Sequence, residues 1–143
     1  EASHTVDSTR ALYARLLAAR DEVPAAYARL WLEFLRRHEL RLRPEEIPFT
    51  RKALETLAAT VLRDQRDPER LRQLAGAAHW LGLREETARL LESHARATRG
   101  EDSAGIALQI YRELGLEADA ARMEAWFREV NGGDGRRTDP IAP

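Results

Sequence analysis

The sequence predicts an all-α domain of about seven antiparallel helices, and three observations predict it. Apolar residues recur at spacings of three and four along nearly the whole chain, while no stretch alternates over the length of a strand. Glycine and proline fall between these periodic segments, where helices stop and start. The 143 residues, 43% of them apolar, are enough for one independent core. The expected organisation is a single domain over 1–130, followed by a disordered tail over 131–143, where "NGGDGRRTDPIAP" offers glycine, proline and few apolar groups.

The first helix is expected from about Asp7 to Arg20, with Leu12, Leu16 and Leu17 inward. Pro24 opens the second as a first-turn proline, and Tyr27, Leu30, Trp31, Phe34 and His38 form its stripe. "YARL" occurs at Tyr13 and again at Tyr27, too close for a helix-pair repeat, and reads as two similar aromatic anchors. Pro44 and Pro48 in "RLRPEEIPF" predict a bend or a single turn. The third helix should then follow Thr50 as its cap, with Leu54, Leu57, Ala58 and Val61 on one face. Asp67 followed by Pro68 is the clearest start signal, for a fourth helix carrying Leu71, Leu74, Ala78 and Leu81, with Trp80 turned toward a second neighbour. Gly82 is placed to close it in the left-handed conformation. A fifth helix over about 84–98 carries Leu90, Leu91 and His94 and stops at Gly100. A sixth over about 103–114 carries Ile106, Ile110, Tyr111 and Leu114, with Gly115 closing it. A seventh runs from about Glu117 to Val130, with Met123, Trp126, Phe127 and Val130.

Composition excludes much chemistry. With no cysteine there are no disulfides, thiolate metal sites or cysteine nucleophiles. HExxH, glycine-rich phosphate loop, GxSxG and EF-hand patterns are absent, and no two of His4, His38, His79 and His94 share a helical face at metal-ligand spacing. The expectation is a non-enzymatic protein with no cofactor and no metal. No apolar run approaches the roughly 20 residues of a membrane span, so no membrane partner is expected. "EASHTVDST" resembles neither a signal nor a transit peptide. A cytoplasmic location follows as the expectation, with an exported, N-terminally processed domain as its alternative.

Acids and bases nearly cancel, 24 against 23. Twenty-two of the bases are arginine, and the middle of the chain, 51–100, holds ten bases against seven acids. Arg36, Arg37, Arg41 and Arg43 surround the end of the second helix, and Arg63, Arg66, Arg70 and Arg72 follow the third. If those clusters share a face, they form a basic patch able to contact phosphates. Interleaved acids rank that reading below an acidic protein or peptide partner.

An echo organises the second half. "LGLREETARLL" from Leu81 and "LGLEADAARME" from Leu114 lie 33 residues apart and share Leu81/Leu114, Gly82/Gly115, Leu83/Leu116, Ala88/Ala121 and Arg89/Arg122. A period of 33 is one helix-turn-helix unit of a solenoid. "ALQIYRELGLEADAARMEAWF" resembles the tetratricopeptide-repeat family, with Ala107 and Tyr111 at the alanine-then-aromatic spacing of the family's second helix. The sequence departs from the pattern at Leu91, His94, Ala95 and Thr98, which stand at the family's tryptophan, leucine-glycine and tyrosine positions, and at Ala120, which stands for its closing proline. Over 68–130 the resemblance implies antiparallel helix pairs stacked into a superhelix and a peptide-binding adaptor or scaffold. The expected partner is another protein, a peptide or a second copy of this chain. It would sit between the fourth, fifth and sixth helices, against Trp80, Arg84, His94 and Tyr111. The alternative is a basic accessory subunit touching nucleic-acid backbone through the eight arginines from Arg36 to Arg72.

Overall fold

The computed structural model describes residues 2–64 and 67–138, with side chains placed over 4–64 and 67–132. The described residues form seven α-helices: α1 Ala2–Ala18, α2 Ala25–Arg37, α3 Ile47–Asp64, α4 Glu69–Trp80, α5 Arg84–Thr98, α6 Glu101–Glu113 and α7 Glu117–Thr138. A 3-10 turn, Pro44–Glu46, precedes α3. No strand occurs among the described residues. From α2 onward each helix packs chiefly on the next, and α3 also touches α1 and α5, which makes it the centre of the N-terminal half.

Four helix ends share one closure, in which a residue of positive φ lets a later amide reach back five residues. Leu83 donates to the Ala78 carbonyl at 2.9 Å past Gly82 (φ 79°), and Leu116 to the Tyr111 carbonyl at 2.9 Å past Gly115 (φ 72°). The two halves of the echo are thus the same turn built twice. Leu40 reaches the Leu35 carbonyl past Glu39 (φ 51°), and Gly100 the Ala95 carbonyl past Arg99 (φ 58°). In these two the strained position carries a side chain.

Trp31, Leu17, Leu35, Val23 and Leu54 fill the N-terminal core, where Tyr13 and Phe49 each lie 5.5 Å from the Trp31 ring. Trp31 Nε1 donates to Thr50 Oγ1 at 2.9 Å, and that hydroxyl donates to the Glu46 carbonyl at 2.7 Å. Thr50 is therefore a core residue one turn inside α3. Pro48 does not block an earlier start, because first-turn positions need no amide donor.

Several other expectations are corrected. The inward face of α1 is set by Arg10 and Leu17, seven residues apart, which turns Leu12 (56% exposed) and Leu16 (38%) outward. Leu30, Ile106 and Leu114 are also exposed. His38 lies at the surface against Phe34, ring centroids 5.0 Å apart. Helix α1 begins well before Asp7, at Ala2. Helix α7 continues past Val130 to Thr138, over the first residues of the expected tail. Glycine weakens a helix without forbidding it. Residues 139–143 lie outside the described residues.

Candidate functional site

A groove of ≈ 980 Å³ lies between α2, α3 and α4. Helices α2 and α4 are its walls, and α3 closes the bottom with Leu57, Thr60 and Val61. Leu32 and Leu35 from α2, and Leu74, Ala77 and Leu81 from α4, complete an apolar floor. Trp80 stands half-buried at one end. The Arg41 guanidinium lies 5.4 Å from its ring centroid and donates to its carbonyl at 2.6 Å. The indole is thus held in place by a cation from outside the groove.

The upper walls are charged. Arg29, Glu33 and Arg36 project from α2, and Arg70 and Gln73 from α4. They line up because 29, 32/33 and 36 recur at the three- and four-residue spacing of one helical face. Arg29 and Arg36 have no carboxylate partner among the described residues, while Arg70 reaches Asp67 at only 4.0 Å. Three guanidiniums against one carboxylate make the rim cationic. Gly76 lies in the α4 wall, and a β-carbon there would meet no atom within 4 Å.

The sequence-predicted residues are not brought together. Trp80 is in this groove, on the side of α4 that faces α2 and α3. Arg84 lies on the surface and bonds Glu113 of α6. His94 is buried, with Nδ1 2.7 Å from Ser103 Oγ and Nε2 2.8 Å from Glu69 Oε2, so it ties α5 to α6 and α4. Tyr111 is fully buried and donates to Glu92 at 2.7 Å.

The basic patch is likewise divided. Arg36 and Arg70 line the groove, Arg41 clamps Trp80, Arg43 reaches Asp7 at 3.7 Å, and Arg72 reaches Glu69 at 3.8 Å. Arg37 and Arg63 are exposed, and Arg66 lies outside the described residues. Sequence reasoning missed Arg29 and Gly76. The signals were present in the 29/32/33/36 spacing and in a glycine placed in the middle of a helix.

Perturbed ionisable groups often mark reactive sites, but the strongest ones here are occupied with each other. Burial would raise the Glu92 carboxyl; bonds from Arg122 (2.7 Å), Tyr111 and Arg96 (3.0 Å) outweigh that and hold it at about 2. Burial and the bond to Glu92 push the Tyr111 hydroxyl well above its ordinary range. In the second cluster, Arg10 bonds Glu46 through two contacts of 2.6 Å and also donates to the Arg41 carbonyl. Burial raises the Glu46 carboxyl, and its bonds from Arg10 and the Arg43 amide bring it below the usual carboxylate value. None of these groups lines the groove. Among the described residues no buried side-chain polar atom lacks a partner, no three His, Asp or Glu gather as metal ligands, and no helix is long and apolar enough to cross a membrane.

Comparison with known proteins gives no match to a family model, a curated protein or a solved structure.

Proposed function

We propose that this chain is a non-enzymatic protein-interaction module that receives a peptide or helix of a partner in the α2–α3–α4 groove. The observation that carries the reading is the combination of an apolar floor, an anchored tryptophan and a cationic rim in one concave surface. Apolar burial supplies affinity in such a groove and rim charges supply orientation and partner choice. Tryptophan and arginine are the residue types that dominate binding energy at interfaces. The tetratricopeptide-like reading of 68–130 agrees with this role, and the groove takes one wall, α4, from that segment. The strongly interacting polar groups act as internal braces and lie outside the groove.

Contact with nucleic-acid backbone draws on the same arginines, but a phosphate chain makes no use of an apolar floor and meets Glu33 at the rim. The test is affinity capture with the full chain and with Trp80→Ala and Leu32→Ala variants, each checked for unchanged helicity. Partners retained by the wild type should be lost from both variants. Identical capture by all three proteins would overturn the groove as the binding surface.

A further inference from the structure

Resting on that reading, we infer that the occupant is an acidic amphipathic α-helix, which lays an apolar stripe on the floor and sets carboxylates about two turns apart against Arg29 and Arg36. Groove shape selects the secondary structure. Peptides that bind as added strands need a sheet edge, and no strand exists among the described residues. Polyproline segments need an aromatic-lined surface, and Trp80 is the single aromatic in this groove. Two helical walls with a leucine-rich floor instead reproduce the setting in which one helix packs between others.

Charge selects the composition. Arg29 and Arg36 are seven residues apart on α2, a rise of about 10 Å. A helix lying alongside α2 repeats the same rise, so carboxylates at its positions i and i+7 face the two guanidiniums while apolar residues at i+3, i+6 and i+10, turned to one side of that line, reach the floor. Arg70 on the opposite wall favours a further acid on the far flank of that helix. Glu33, between the two arginines, disfavours an acid at the middle of the near flank.

Gly76 supplies a separate line of reasoning. A glycine in the interior of a helix weakens it relative to alanine, and here no neighbour within 4 Å requires the missing side chain. Together with Ala77 it keeps the α4 wall low where it faces the groove, which is what close approach of a second helix needs. The free protein gains nothing from this glycine, and an occupied groove does.

The test begins with display of a library of 20-residue sequences of helical amphipathic pattern against the full chain. The recovered ligands should carry Asp or Glu at i and i+7 around leucine-like residues, and a synthetic copy should gain helicity on binding. Reversing the wall charge with Arg29→Glu and Arg36→Glu should weaken that peptide by at least about 30-fold and improve binding of its lysine-substituted form. Gly76→Gln should raise the melting temperature by about 2 °C while abolishing binding. A merely structural role for this position would not produce opposite changes in stability and affinity.

Recovered ligands that need Trp80 but are neutral, basic or non-helical overturn this inference and leave the interaction module standing. Recovery of no groove-dependent ligand overturns both. The inference also falls if a 20-nucleotide single strand binds the wild type at low salt and is lost from the Gly76→Gln variant. It falls as well if the free protein sediments as a dimer that Gly76→Gln converts to monomer.

Discussion

At the scale of single residues, the balance between desolvation and pairing decides what each charge does. Glu92 shows the balance tipped to pairing, since five hydrogen bonds from three side chains, Arg96 of α5, Tyr111 of α6 and Arg122 of α7, close around one buried carboxylate. Its folded value of about 2 lies below its ordinary 4.5, so its contribution to stability is fully present above about pH 4.5 and is lost as pH falls toward 2. Glu92→Gln should therefore cost on the order of 2–3 kcal/mol at neutral pH. It should also flatten the acid limb of stability between pH 4.5 and 2, as read from urea midpoints at each pH. An unchanged acid limb would show that the carboxylate is not the acid-sensitive brace. None of this was legible in the sequence, because Glu92, Tyr111 and Arg122 are 30 residues apart end to end and converge only through packing. His94 was legible in part: its place on the Leu90/Leu91 stripe predicts burial, but its partners Glu69 and Ser103 come from two other helices.

At the scale of the element, legibility follows from how local the cause is. Gly82 and Gly115 announced their turns because a positive φ is a requirement of one residue, and both adopt it. The start of α4 was equally local, and Asp67 accepts there from the Glu69 amide at 3.2 Å. Glu39 and Arg99 gave no such signal, since nothing in their chemistry asks for the left-handed conformation they hold. That conformation costs a residue with a β-carbon roughly 1 kcal/mol or more. Glu39→Gly and Arg99→Gly should each stabilise the protein by about 0.5–1 kcal/mol, partly offset by the greater freedom of glycine in the unfolded chain. Gly82→Ala and Gly115→Ala should destabilise it by about 1 kcal/mol or more for the same steric reason. Thermal melts of the four variants check all of this, and a uniform sign across them would refute the assignment of strain. The face of α1 was misread because its apolar residues outnumber the places available. Arg10 takes one of those places by bringing its own counter-ion, and a periodicity count scores arginine as outward.

At the scale of the whole molecule, the two halves are held together differently. Helices α4 to α7 follow one another through short turns and broad successive contacts, cross-braced by Glu92 and His94. Helix α1 instead meets the body mainly at α3, at the ring cluster of Tyr13, Trp31 and Phe34, and through the buried Arg10–Glu46 pair. Removing one partner of such a pair leaves an uncompensated buried charge, so Arg10→Ala should cost about 3–5 kcal/mol. The loss should not spread evenly. Amide exchange followed by mass spectrometry should show protection falling first over 2–18 and 44–46, with α5 to α7 exchanging as in the wild type, because regions with few long-range contacts open below the global free energy. Helix α2 shares Trp31 with that N-terminal cluster and is also one wall of the groove. Its protection should fall next, and peptide affinity with it, while the C-terminal brace remains closed. Simultaneous loss of protection in all seven helices would instead mean that the chain opens as one unit, and that the Arg10 pair stabilises the entire fold rather than the N-terminal wall of its groove.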